Sequence, residues 1–178
     1  MGGPPSFVPL TLVVITTNLI LMGKLQAEIR QSKPFDTPEQ EAALALERTT
    51  DQLRRHYDDF FKHYDLTPTQ YNALRILRGA GAAGLPCSEI AQRMITRDPD
   101  ITRLLSRLEQ RELCSRGRDG KDKRVVLSRI TPAGLKLLQE IDQPIRELNK
   151  NLMKHMGEKR LRSLIRLLEE VRSACEPS

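Results

Sequence analysis

Three Thr-Pro pairs, Thr37-Pro38, Thr67-Pro68 and Thr131-Pro132, each precede a stretch whose apolar residues recur at threes and fours. Threonine at an N-cap accepts a hydrogen bond from an orphan N–H of the first turn, and proline at the first helical position loses nothing by lacking one. The pairs therefore predict three helix starts. Gln40 and Gln70 follow their threonines by three positions, where the side-chain amide can return to the cap's own N–H and complete a capping box.

The first predicted helix runs from about Pro38 to Tyr64, with Leu46, Leu53, Tyr57, Phe60, Phe61 and Tyr64 on one side. The second follows Thr67, carries Tyr71, Leu74 and Leu77, and stops at the Gly/Ala run from Gly79 to Gly84. That run lacks the Gly-Lys-Ser/Thr ending of a phosphate-binding loop and reads as a turn. A short third helix, about Pro86 to Met94, turns Ile90, Ala91 and Met94 inward. Asp98-Pro99 reads as the cap and first turn of a fourth helix, which buries Ile101, Leu104, Leu105 and Leu108 and leaves Arg103, Arg107 and Arg111 outside. Arg111 stands where a cation offsets the helix dipole. Two short helices joined by a tight turn fit a helix-turn-helix, and equally a small bundle with solvated arginines.

The following segment separates these alternatives. Leu113 to Arg116 and Arg124 to Ile130 read as strands, with Asp119-Gly120 as a hairpin turn. From Arg116 to Arg124 five cations (Arg116, Arg118, Lys121, Lys123, Arg124) face two acids (Asp119, Asp122). A basic hairpin directly after an arginine-bearing helix is a wing. The fifth helix, from Thr131, places Leu138, Ile141, Ile145, Leu148 and Leu152 close to a heptad seam, with Pro144 expected to kink or open it. Gly157 separates it from a sixth helix bearing Leu161, Leu164, Ile165, Leu168 and Val171.

The expected fold is thus mainly α, a winged helix-turn-helix of about six helices with a two- or three-stranded wing. Residues 36–175 form one domain in this reading, with 66–131 as the head. The apolar stripes of 36–64 and 132–175 exceed what a small head can cover, which predicts a homodimer through the N- and C-terminal helices. Its expected interface comprises Leu138, Ile141, Ile145, Leu148, Leu152, Leu161, Leu164 and Leu168.

Charge points to the partner. The 178 residues include 29 Lys plus Arg against 23 Asp plus Glu, net +6, which favours nucleic acid or a membrane surface. Aromatics are 4% with no Trp, so stacking platforms for single strands are disfavoured and duplex backbone contacts are the better expectation. Residues 36–64 carry seven acids against four bases, which places the basic excess in the head and beyond. Three widely spaced cysteines, Cys87, Cys114 and Cys175, suggest neither a disulfide framework nor a zinc site, and fit a reducing cytoplasm. No nucleophile with its base and orienter is spaced for catalysis, and neither an enzyme nor a cofactor is expected.

Residues 1–23 carry no charged side chain, and Phe7 to Met22 is mostly apolar. As a membrane span the stretch is short and interrupted by Pro9, Thr11, Thr16, Thr17 and Asn18, although Lys24, Arg30 and Lys33 would orient the body to the cytoplasm. As a signal peptide it lacks a basic leader. A third reading takes Met22 as the natural start. Residues 1–35 are accordingly an apolar stretch and linker outside the domain.

Three separated motifs resemble the MarR family of bacterial winged helix-turn-helix regulators. Asp122-Lys123-Arg124, followed by Ile130-Thr131-Pro132-Ala133-Gly134, is similar to the family's Asp-x-Arg and Leu-Thr-x-x-Gly pattern. Leu66-Thr67-Pro68-Thr69-Gln70-Tyr71 resembles the approach to its second helix, and Ser88-Glu89-Ile90-Ala91 its third; the likeness covers about Pro38 to Val171. The resemblance implies a sequence-specific double-stranded DNA-binding transcription regulator, a dimeric repressor on a pseudo-palindromic operator, released by a small phenolic or anionic effector or by cysteine oxidation. The first helix has no cysteine, unlike the oxidant-sensing subgroup, and His56, His63 and His155 do not suggest a metal sensor.

On this reading Arg97, Thr102, Arg103 and Arg107 face the major groove. In the wing, Arg116, Arg118, Lys121 and Lys123 are candidate contacts, and by family analogy Asp122 orients Arg124 toward the DNA backbone. Asp98 is the expected helix cap. Tyr57, Phe60, Phe61, Tyr64 and Tyr71 are candidates for an effector pocket, with ordinary core packing as the alternative. Two further alternatives are a membrane-tethered regulator with the same head and a thiol sensor at Cys87, whose bland counterpart is a small buried hydrophobe.

Overall fold

The computed structural model describes residues 24–96, 100–118 and 124–175. It divides at Phe60/Phe61 into two compact units. The first holds α1 (Lys24–Glu28) and most of α2 (Pro38–Lys62). Thr37 caps α2 by accepting from the Gln40 N–H at 3.2 Å. The Gln40 side-chain carbonyl, however, accepts from Asp36 N–H at 3.0 Å, one residue before the cap, so the predicted box is shifted.

The second unit continues with α3 (Pro68–Ala80), a 3-10 turn (Gly81–Ala83), β1 (Leu85–Pro86), α4 (Cys87–Arg93) and α5 (Ile101–Gln110). Strands β2 (Cys114–Arg118) and β3 (Val126–Ile130), then α6 (Pro132–Met153) and α7 (Gly157–Ala174), complete it. Thr67 forms the full capping box with Gln70, and Thr131 caps α6 through Gly134 N–H. Pro144 lies inside α6 and does not end it.

The sheet is antiparallel in the order β1-β3-β2. It is fixed to the helices at glycines that admit no side chain. Gly84 has φ +69, and a Cβ there would lie 2.7 Å from the Ser128 carbonyl oxygen on β3. Ala73, Leu74 and Leu77 of α3, Ile90 of α4, Leu105 and Leu108 of α5, and Leu138 and Ile141 of α6 are fully enclosed. Each of the large ones contributes about 1.5–3 kcal/mol by leaving water. The prediction for α4 needs one correction: Ile90 and Met94 are buried but Ala91 is exposed.

Helices α1, α2 and α5 each turn back through a left-handed residue that is not glycine, the first at Arg30 (φ 54). Asp65 (φ 51) and Glu112 (φ 57) take left-handed conformations just after α2 and α5. In both, the next residue's N–H reaches back five positions, Leu66 to Phe61 at 3.1 Å and Leu113 to Leu108 at 3.0 Å. This is the Schellman geometry, in which the following apolar residue anchors the turn. Leu66 and Leu113 are the anchors, buried at 5% and 7% exposure. Arg111 serves the other helix's end: its guanidinium donates to the carbonyls of Asp65 and Tyr64.

Among the described residues, no helix is long and apolar enough to cross a membrane. The expectations for residues 1–23 lie outside the described residues.

Candidate nucleic-acid interface

Helix α5 is split lengthwise. Ile101, Leu104, Leu105 and Leu108 are buried, while Thr102, Arg103 and Arg107 are exposed along the other side. The helix starts later than predicted, and its cap is Asp100, whose carboxylate accepts from Arg103 N–H at 2.9 Å. The correction concerns Asp98, which with Arg97 and Pro99 lies outside the described residues. An acid at the cap is favourable at the positive end of the helix dipole and holds the first turn that carries Thr102 and Arg103.

Behind α5 rises the hairpin. Its register pairs Cys114 with Ile130, Arg116 with Ser128 and Arg118 with Val126. Arg118 opposite Val126 is the last described pair, and the expected Asp119-Gly120 turn belongs to the loop beyond it. Asp119, Gly120, Lys121, Asp122 and Lys123 lie outside the described residues. Arg118 and Arg124 flank that loop and are both exposed.

Arg116 behaves differently from the other wing cations. Its guanidinium donates to the Ser106 hydroxyl at 3.0 Å, and its backbone N–H donates to the Glu109 carboxylate at 3.0 Å. Ser106 in turn donates to the Thr102 carbonyl at 3.0 Å. Arg116 thus ties the base of the wing to α5, an engagement that the expectation of a DNA contact there did not include.

The wing returns to the body through Thr131. Its hydroxyl donates to the Glu112 carbonyl at 2.6 Å and accepts from Gly134 N–H at 3.1 Å, while its own N–H donates to the Leu113 carbonyl at 3.2 Å. Gly134 is required here, since a Cβ would lie 2.2 Å from the Leu113 oxygen. The Thr-x-x-Gly motif is therefore a clasp between the end of α5 and the start of α6.

Cys87, the first residue of α4, is half-buried with Sγ 3.7 Å from the Thr102 hydroxyl of α5. Cys114 is buried; desolvation and the nearby Glu109 carboxylate push its thiol up to about 11. Phe61 and Tyr71 face each other with ring centroids 4.5 Å apart, exposed by only 2% and 9%. They are a core pair, not free lining for a pocket. Burial also holds the Tyr71 hydroxyl above the ordinary phenol range. Tyr64 is half-buried in the turn after α2, and Tyr57 and Phe60 are half-buried in the other unit.

The apolar seam of α6 is corrected in the same way. Leu138, Ile141 and Ile145 are buried within the single chain and are unavailable to a second copy. Leu148, Leu152, Leu161, Leu164 and Leu168 remain partly open, and α7 has no buried residue.

Comparison with known proteins gives this geometry a family. The MarR family's sequence pattern matches residues 66–126, which span α3 to the start of β3. A crystal structure of a MarR transcription factor from Planctomyces limnophilus is 40% identical, over 76% of this chain and 98% of that one, with a TM-score of 0.59. The chain belongs to the MarR family. Its winged helix-turn-helix is the family's architecture. The HTH-type transcriptional regulator MhqR of Bacillus subtilis is 29% identical over 98 residues, an alignment spanning 55% of this chain and 66% of that protein, just under two thirds of its length. A mutant MarR of E. coli, crystallised with operator DNA, is 25% identical over 71% of this chain and 91% of that one, with a TM-score of 0.64.

Proposed function

We propose that this MarR-family chain is a sequence-specific duplex-DNA-binding transcription regulator that acts in the cytoplasm as a dimeric repressor and catalyses no reaction. The observation that carries this is the exposed stripe of Thr102, Arg103 and Arg107, on a helix whose opposite side is wholly buried. A helix held this rigidly, and presenting arginine from its first turns, has the form that enters a major groove. There a bidentate Arg-guanine pair discriminates by about 1–3 kcal/mol. Arg118 and Arg124 on the hairpin would meet the flanking backbone, which positions the protein without reading sequence. The E. coli relative in complex with operator DNA supports the same use of this fold.

A second copy supplies the symmetry that a pseudo-palindromic operator requires. Helix α7 exposes Ile165, Leu167 and Val171 by 55%, 52% and 46%, an apolar face suited to self-association. Release by a small phenolic or anionic effector completes the proposal, and a compound that changes the spacing of the two heads would achieve it.

The test is a gel-shift series on the DNA flanking the chain's own gene, with random duplex as competitor. A complex that survives a large excess of random duplex and dissolves as salt rises is the expected result. A basic surface with no such function would bind both duplexes alike.

A further inference from the structure

Ile95 is 83% exposed, the most open of the large apolar side chains among the described residues. It lies in the turn between α4 and α5, directly after Met94, which is buried at 8%. The backbone there is not loose: Ile95 N–H donates to the Asn72 side-chain carbonyl on α3 at 2.9 Å. The backbone that carries this exposed side chain is thus held to the core helix of the head. It stands at the approach to α5, whose exposed side carries Thr102 and Arg103 in the first turns.

We propose that Ile95 is a specificity-determining residue, reading the C5-methyl group of a thymine at the edge of the site bound by α5. The inference rests on the DNA-binding reading above. Arginine and threonine donate hydrogen bonds to base edges, but the thymine methyl is recognised only by apolar contact, and it projects into the major groove. Ile95 offers a wholly apolar side chain in the segment that leads to the polar stripe. In water its exposure is unfavourable; against a methyl group it becomes a buried contact. Losing one buried methyl group's worth of contact weakens an equilibrium by about fourfold.

The test uses the full chain and a duplex recovered with it by selection from random DNA. Each thymine is replaced singly by uracil, which removes the methyl group and nothing else. One position per half-site is expected to lose about fourfold in affinity for the native protein. Ile95→Ala is expected to bind the thymine duplex with a similar loss and to ignore uracil at that position. Its melting temperature should match the native protein's, since the side chain packs on little. Ile95→Val should recover part of the discrimination.

Equal uracil sensitivity in Ile95→Ala and the native protein overturns the proposal while leaving DNA binding standing. So does the absence of any sensitive thymine. An Ile95→Ala protein altered in self-association but not in uracil response overturns it as well, marking Ile95 as a contact between copies. Failure to recover any duplex sinks the DNA-binding reading itself, and the proposal with it.

Discussion

The Arg78 guanidinium of α3 grips the Asp142 carboxylate of α6 with two hydrogen bonds, 2.8 and 3.1 Å long. The pair is one-third exposed and joins the helix at the centre of the head to the helix that leads out of it. Arg78 holds the Asp142 carboxyl below the usual carboxylate range, chiefly through these hydrogen bonds. A carboxyl lowered by folding contributes stability that is present above its unfolded value, about 3.9, and is lost as pH falls through the folded one. Asp142→Asn is expected to cost about 1–2 kcal/mol at neutral pH. In urea unfolding the gap between variant and native protein should close on acidification. A gap that persists unchanged to the acid limit would assign the cost to something other than this ion pair.

The clasp at Thr131 gives a second expectation. Thr131→Ala removes both the N-cap and the bond to Glu112, for a loss of about 1–2 kcal/mol. Gly134→Ala should be worse, at about 2 kcal/mol or more, because the new methyl meets backbone that cannot rotate away. Thermal melts of the two variants measure the order directly, and a harmless Gly134→Ala would show that the clasp is not closed.

Cations of the hairpin are expected to separate by salt dependence. Arg124→Ala should weaken binding to all duplexes and reduce the slope of log K against log salt by about one. Arg116→Met should leave that slope unchanged and lower thermal stability instead, because its guanidinium is engaged by Ser106. Were Arg116→Met to flatten the slope as Arg124→Ala does, the tie to α5 would have to give way on DNA.

Thiol chemistry gives the fourth. Cys175 is exposed and should alkylate first, whereas Cys114, buried and with its thiol pushed up to about 11, should react only when the protein unfolds. Mass spectrometry after a timed native exposure resolves the order. A Cys87 that stays unmodified throughout would rule out thiol sensing at the edge of α5.

Helix starts were legible in the sequence because capping is local chemistry between a threonine and residues three positions on, and Thr67 with Gln70 is the clear case. Helix stops were legible only where glycine marks them, as at Gly81 after α3. Asp65 and Glu112 do the work usually given to glycine, and what holds them is the burial of Leu66 and Leu113 against distant segments. The Asp100 cap was hidden by Asp98-Pro99, an equally good local signal two residues earlier. The exposed stripe of α5 could be read from period alone, whereas the engagement of Arg116 by Ser106 depends on the strand register. Likewise the seam of α6 reads as a dimer face until α3 is seen to pack against it and enclose Leu138 and Ile141.

Base reading by the exposed side of α5 is tested most directly by equilibrium titration of the native chain and Arg103→Ala against a selected duplex and a random one. The expected result is a loss of about tenfold or more on the selected duplex, with the random duplex bound nearly as before. Equal losses on both duplexes would reduce Arg103 to a backbone contact, and no loss on either would remove α5 from the interface.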